Sequence, residues 1–430
     1  MALSGRFVLL VLAGLLPLLA WPTWTCALTI IGVLIIVLAA DVLLAASPRL
    51  LAISRMAPTS VRLGNPTEAV ITVRNASGRT FRGVVRDAWP PSAGATGNRH
   101  GATIRPGERR RYTTALLPIR RGDRVAAAVT IRSFGPLRMG ARQATIDVPA
   151  RLRVLPAFTS RRHLPSKLAR LRELDGRASV MIRGSGTEFD SLRDYVDGDD
   201  VRSIDWRATA RRREVVVRTW RPERDRRVLI VVDTSRTSAG RVGGEPRLDA
   251  AIESALLLTA LATKAGDRVD LVAADRRVRA RVHGAGPGDS LPAVVRALAP
   301  LEPELIEADW STIAGTALTT ARQRSFIVLL TPLESAAVTE GMLPVIRRLT
   351  AKHTVAVASV ADPATPLVGT HRDSSTEAYA AAAAERSMLD RAAVTAALQA
   401  DGASVVDAPP DELPPRLADL YLSLKAAGRL

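Results

Sequence analysis

Asp233, Ser235 and Thr237 place a carboxylate and two hydroxyls at alternate positions directly after the apolar run Val228–Val232. A loop of this kind behind a buried strand offers hard oxygen donors, and Mg²⁺ is a cation such donors suit. The same side chains can also do no more than shape a turn, with Asp233 capping it and Ser235 and Thr237 bonding the local backbone. Upstream, Glu188, Asp190, Asp194, Asp197, Asp199, Asp200 and Asp205 form an acidic series that could supply paired carboxylates for hydrolysis. A series like this is more often a solvated face paired with neighbouring arginines. Arg211, Arg212 and Arg213 lie between Trp206 and Trp220. They give segment 207–221 the cations and rings of a nucleic-acid contact. The arginine bias of the whole chain argues against that reading, and no nucleic acid is expected as a partner.

Other chemistries lack their residues. His100, His163, His283, His353 and His371 are scattered without metal-ligand spacing. No glycine-rich loop ending in Gly-Lys-Ser/Thr occurs, so the chain is not itself a P-loop ATPase. Gly284-Ala285-Gly286-Pro287-Gly288 is not framed by the buried strand and helix that a dinucleotide fingerprint needs. Cys26 is the single cysteine, so neither a disulfide framework nor a cysteine redox pair can form within one chain.

The Asp233 loop needs a sheet behind it, and the sequence predicts one. From residue 227 on, strand and helix patterns alternate. Strands are predicted at 227–232, 268–273, 326–330, 354–360 and 404–407, of which 227–232 and 326–330 read as fully buried, with an edge strand at 277–283. Helices are predicted at 248–265, 290–298, 309–322, 342–349, 376–399 and 413–425. The alternation implies a doubly wound, mainly parallel sheet, in which ligands sit at the carboxyl ends of the strands. Asp233 lies at such an end, which sets it apart from the other carboxylates.

Before this domain the period is different. Alternating runs at 69–74, 80–87, 110–116, 124–133 and 143–148 are separated by turn residues such as Gly64-Asn65-Pro66 and Arg121-Gly122-Asp123. They predict a β-sandwich of immunoglobulin-like size. Asn75-Ala76-Ser77 has the form of a glycosylation site and reads as a turn.

At the N-terminus, residues 7–20 and 25–46 are apolar runs joined by Trp21-Pro22-Thr23-Trp24. This pattern predicts a transmembrane helical hairpin with interfacial tryptophans. Arg6, Arg49 and Arg55 flank it and place both termini and the soluble domains in the cytoplasm, at a bacterial inner (plasma) membrane. Asp41 is expected near the cytoplasmic end of the second run, within reach of water. The net charge is +18, and only four of the 60 basic residues are lysines. For a membrane-tethered cytoplasmic protein that balance reads as positive-inside bias. The predicted organisation is a hairpin over 1–50, a β-sandwich over 56–155, a connector and charged segment over 156–226, and an α/β domain over 227–430.

Several runs together carry a family resemblance. They are Glu188-Phe189, Leu192-Arg193-Asp194-Tyr195, Gly198-Asp199-Asp200, Ile204-Asp205-Trp206 and Thr209-Ala210-Arg211. With Ile119-Arg120-Arg121-Gly122, Phe134-Gly135-Pro136-Leu137 and the end 421–430, the chain resembles the domain of unknown function 58 family. The resemblance implies a von Willebrand factor A-like C-terminal domain, a MoxR-type AAA+ ATPase as partner, and no established catalytic activity. It also implies that Asp233, Ser235 and Thr237 occupy the places of a metal-ion-dependent adhesion site. Such sites draw another Asp from the loop after a later strand. Here Pro332 stands in that place, with Glu334 and Asp309 as candidate substitutes.

The expectation is a non-enzymatic docking or chaperone-adaptor protein that works with that ATPase in the assembly or maturation of other proteins. Glu188, Asp199, Asp200, Asp205, Trp206 and Arg211 would form its interaction motif. The alternative is a membrane-linked cell-envelope hydrolase using the acidic motif at 188–205.

Overall fold

Pro17 has no backbone N–H and interrupts the first apolar run, which forms two short helices, Gly5–Gly14 and Leu16–Ala20. Thr23 then caps a continuous helix, Trp24–Leu44, by accepting from the backbone N of Cys26. The computed structural model describes residues 2–181, 188–197, 199–221, 226–286, 288–370 and 372–430. Contacts divide the chain into two units, Met1–Ala157 and Phe158–Leu430. The hairpin thus groups with the β-sandwich, and the connector helix Leu164–Met181 groups with the α/β domain.

In the first unit, Trp24–Leu50 is the one described stretch long and apolar enough to cross a membrane. The Gly5–Ala20 arm is also apolar but shorter. At about 1.5 Å per residue its 16 residues rise about 24 Å, less than the hydrocarbon thickness of roughly 30 Å. The two-span expectation therefore reduces to one helix of spanning length with a shorter apolar arm packed against it.

Two sheets follow, antiparallel except where Ser60–Arg62 pairs parallel with Gly140–Leu155. One contains Phe81–Asp87, Arg99–Ile104, Gly122–Phe134 and Gly140–Leu155; the other contains Leu51–Met56, Thr67–Asn75 and Arg109–Leu116. Ile71 and Val73 from one sheet share a core with Phe81, Val85, Val129 and Ile131 from the other, which makes the domain a sandwich. Alternation along Thr67–Asn75 buries every second residue from Ala69 on, as a sheet with one dry face requires.

Arg55 corrects the sequence reading. It is not a membrane-flanking cation. Its fully buried side chain pairs with the equally buried Asp87 at 2.7 Å and donates to the carbonyls of Ala126 and Ala128. Asn75 builds its own turn: its buried side chain accepts from Ser77 N and Oγ and donates to the carbonyls of Arg79 and Ile104.

The second unit is built on a six-stranded sheet. Its order is Val278–Val282, Arg268–Ala274, Arg227–Asp233, Phe326–Leu330, Thr354–Val360 and Ser404–Ala408. Every pair is parallel except the antiparallel Val278–Val282 edge. Leu229 and Val231 face a core made with Trp310, Ile313, Val345, Ile346 and Leu349 from the helices on that side. Val228, Ile230 and Val232 are buried as well, so the strand is covered on both faces. The order reverses at Arg227–Asp233: the next strand, Arg268–Ala274, lies on one side of it, and the later strand Phe326–Leu330 lies on the other. That is the switch point where doubly wound sheets open a crevice at the carboxyl ends.

The charged segment is more regular than its composition suggests. Glu188–Asp194 pairs antiparallel with Val216–Arg221. A 3₁₀ turn, Val201–Ser203, and a helix, Trp206–Arg212, lie between them in sequence. Gly198 of the family runs lies outside the described residues.

Candidate functional site

The Arg227–Asp233 strand is fixed by burial on both faces, so the Asp233 side chain is fixed with it. Its carboxylate Oδ1 accepts from Ser235 N at 2.8 Å. Its Oδ2 accepts from Thr237 Oγ1 at 3.0 Å and from Thr331 Oγ1 at 2.7 Å. Ser235 Oγ and Thr237 Oγ1 lie 3.1 Å apart. The three sequence-predicted residues therefore converge, and all are buried, Asp233 to 2 % exposure.

Thr331 was missed in the sequence. It directly follows the Phe326–Leu330 strand, and Leu330 lies in register with Val232. The signal that could have found it is this matching of strand ends: residues just past two adjacent parallel strands share one crevice.

Ser235, Thr237 and Thr331 also line a cleft of about 400 Å³. Its other walls include Trp310, Pro332, Glu307 and the segment 336–341. Part of that segment, Ala337–Met342, is a π-helix. A Cβ at Gly341 would stand 2.7 Å from the Trp310 ring, so the π-turn and the indole approach closely only because Gly stands there. At the rim, Arg236 pairs with Glu307, and Glu334 lies 3.4 Å from Arg247 and 3.9 Å from Arg236.

The two acids considered as substitutes at Pro332 have other roles. Asp309 caps the helix Trp310–Thr320 through Ser311 and Thr312, accepting from both backbone N–H groups and both hydroxyls. Those bonds, Thr312 Oγ1 first, hold its carboxyl down at about 2. Glu334 is engaged by its two arginines. Among the described residues, no three His, Cys, Asp or Glu side chains converge. The donor set is thus one carboxylate and three hydroxyls. Oxygen donors of this kind suit Mg²⁺, with positions left for water or for an oxygen from elsewhere.

The acidic motif is arranged differently. Asp199 pairs with Arg193 and accepts from Val196 N. Asp200 accepts from Arg202 N and caps the 3₁₀ turn. Asp205 caps the Trp206–Arg212 helix through Arg207 N and Ala208 N, and its other oxygen accepts from Arg218 Nε at 2.8 Å. The Arg193 bond lowers the Asp199 pKa, and the Ala208 and Arg218 bonds lower that of Asp205. A general acid needs a shift in the opposite direction. Each carboxylate holds its own piece of backbone. Trp206 is 69 % exposed, and Val196 and Val201 are exposed beside it in sequence. Arg211 is exposed on the last turn of the helix. The side chains of Glu188, Asp190 and Trp220 lie outside the described residues.

Residues 191–399 match the family described as "Protein of unknown function DUF58". Uncharacterized proteins of Mycobacterium bovis and Mycobacterium tuberculosis are each 27 % identical over 185 residues, 43 % of this chain and 57 % of theirs. The chain thus spans little more than half the length of these curated relatives. Among solved structures, the CARDB domain of a Pyrococcus furiosus protein matches at 19 % identity and a TM-score of 0.18, covering 23 % of this chain and 92 % of that one. A FixG-related protein of Vibrio parahaemolyticus matches at 12 % identity and a TM-score of 0.17, covering 24 % and 96 %.

Proposed function

We propose, for a chain whose residues 191–399 are a domain of the DUF58 family, a non-enzymatic docking or chaperone-adaptor role at the cytoplasmic face of a bacterial plasma membrane. It would act with a MoxR-type AAA+ ATPase in the assembly or maturation of other proteins. In this reading the C-terminal domain is von Willebrand factor A-like and the sandwich is immunoglobulin-like. The observation that carries the proposal is the Asp233 cluster: a buried carboxylate at the switch point bonded by the Thr237 and Thr331 hydroxyls, which with Ser235 line a cleft.

Asp233 and the three hydroxyls would hold Mg²⁺, and the ion would supply an open coordination position for an Asp or Glu of the partner. With Pro332 in the acid's place, such a partner would supply the second carboxylate, since none among the described residues joins the cluster. Trp206 and Arg211 would add a second contact, an exposed ring and cation of the sort enriched at protein interfaces. Arg6 and Arg49, which flank the apolar arms, support the cytoplasmic orientation.

Full-length protein in mild detergent is expected to retain an AAA+ ATPase in a pull-down with Mg²⁺, and Asp233→Ala is expected to lose it. Recovery of no AAA+ protein by the wild type rejects the adaptor role. Equal recovery by both proteins removes the metal-bridged contact and leaves the adaptor role standing.

A further inference from the structure

The face of the first unit from which the hairpin emerges collects arginines that are distant in sequence. The Trp24–Leu44 helix ends there, and Arg79 donates to the carbonyl of Leu43 in its last turn. The Gly5–Gly14 helix begins there. Its capping residue Ser4 donates through Oγ to the carbonyl of Arg138 and through N to that of Met139. Arg6 follows two residues later, and Arg49 lies in the turn Pro48–Leu50 that leaves the long helix. Arg6, Arg49, Arg79 and Arg138 are all exposed. No ion pair joins any of them to a carboxylate among the described residues.

The collar is held in place by Asp41. Its buried carboxylate accepts from the backbone N of Leu137, Met139 and Gly140 at 2.8, 2.8 and 3.0 Å. This clamps the turn between two long strands of the sandwich onto the helix. The turn presents Leu137 and Arg138 side by side, and both are exposed. Arg138 has φ 57°, a left-handed conformation that Gly or Asn adopts more readily. An Arg kept at such a position points to a use for its side chain. Leu50 is exposed at the same base. Guanidiniums without a carboxylate partner, interleaved with exposed leucines where apolar helices begin and end, match the chemistry of a bilayer surface. There phosphates accept from Arg, and apolar side chains reach the acyl boundary.

We propose that this collar binds the phosphate headgroups of anionic phospholipids, with Arg6, Arg49, Arg79 and Arg138 as the ligating cations and Leu137 and Leu50 inserted among the lipids. The inference rests on the membrane reading of the hairpin and goes beyond it by assigning lipid selectivity to the sandwich.

The test has two arms. Full-length protein is first incorporated into phosphatidylcholine vesicles and floated. Failure to incorporate overturns the membrane reading and this proposal with it. Binding of short-chain phosphatidylglycerol and phosphatidylcholine to the full chain in non-ionic detergent is then measured by native mass spectrometry. Phosphatidylglycerol is expected to bind more tightly. The combined variant Arg6→Gln, Arg49→Gln, Arg79→Gln, Arg138→Asn should lose about fivefold for each charge removed, the equivalent of about 1 kcal/mol per basic residue at an anionic surface. The variant with Lys at all four positions should restore the preference, which separates lost charge from lost folding. Equal affinity of the wild type for the two lipids overturns lipid selectivity and leaves membrane insertion intact. So does unchanged phosphatidylglycerol binding in the neutral variant. Competition by free glycerol phosphate at lipid-like concentrations would assign the collar to soluble phosphates and reject the membrane surface as its ligand.

Discussion

Asp41 and Asp233 are both buried carboxylates, 1 % and 2 % exposed, and each accepts three hydrogen bonds. Their donors differ. Asp41 takes all three from backbone N–H groups of one turn, and those donors cannot rotate away or become acceptors. Asp233 takes one from a backbone N–H and two from threonine hydroxyls, which carry lone pairs and can reorient. The first arrangement is a closed clamp. The second can exchange its internal bonds for an ion or a ligand, and it borders a cleft. Burial and bond count alone would have put the two in one class; the donor type separates structure from site.

The largest effect should come from breaking the clamp. Asp41→Ala leaves three N–H groups without their acceptor where helix and turn meet. The expected loss is about 3 kcal/mol or more of stability in the first unit, read as a lower denaturation midpoint of the detergent-solubilised full chain. Gly135→Ala attacks the same contact from the other side, since a Cβ there would lie 2.1 Å from the Asp41 carbonyl oxygen. If Asp41→Ala melts within about 0.5 kcal/mol of the wild type, the clamp contributes no more than an ordinary surface residue and the comparison collapses.

The Asp233 cluster should respond less to truncation and more to Mg²⁺. Asp233→Ala is expected to cost about 2 kcal/mol, because the freed hydroxyls can turn toward other acceptors. In the wild type, Mg²⁺ at ten times its Kd should add about 1.4 kcal/mol by linkage, visible as a rise in melting temperature of a few degrees. Asp233→Ala should abolish the rise and Thr331→Val should diminish it. A wild type indifferent to millimolar Mg²⁺ would reduce the Asp233 cluster to a turn like any other, and donor type would lose its value as a criterion.

The sequence made the α/β sheet legible almost residue by residue, because strands buried on both faces read as unbroken apolar runs. Val228–Val232 and Phe326–Leu330 are the clearest cases. Legibility failed where a residue's partner is distant in the chain. Leu51–Met56 comes soon after the apolar helix, so Arg55 reads as a flanking cation; it belongs inside the sandwich only because Asp87, 32 residues on, is buried there too. Arg99–Ile104 buries only Ala102 and Ile104, too little alternation to mark a strand. Phe134-Gly135-Pro136-Leu137 was recognisable as a run but not as the seat of Asp41, nearly a hundred residues earlier. Thr331 was hidden for the same reason: its role exists only once two parallel strands are in register.

Asp309 provides the finest test, because like Asp233 it accepts from two hydroxyls, yet it sits at a helix N-terminus. Its bonds come from Ser311 and Thr312, within the first turn it caps. If position decides function, Asp309→Asn should leave any Mg²⁺ response untouched. Asn caps about as well as Asp, so stability near neutral pH should change by less than about 1 kcal/mol. The acid limb should change more. The bond from Thr312 leads in depressing this carboxyl from 3.8 to about 2 in the folded protein. A carboxyl lowered by folding stabilises the fold at any pH above its unfolded value. That contribution is lost as pH falls from about 4 to about 2, where the folded form also takes up its proton. The wild type should therefore lose stability over that window faster than Asp309→Asn, and the two curves should converge at its acid end. Because the side chain is partly solvated, the gap closed should stay below about 1 kcal/mol. Parallel curves would mean that the hydroxyls of Ser311 and Thr312 do not hold the charged form. A changed Mg²⁺ response would mean that Asp309 belongs to the Asp233 cluster after all.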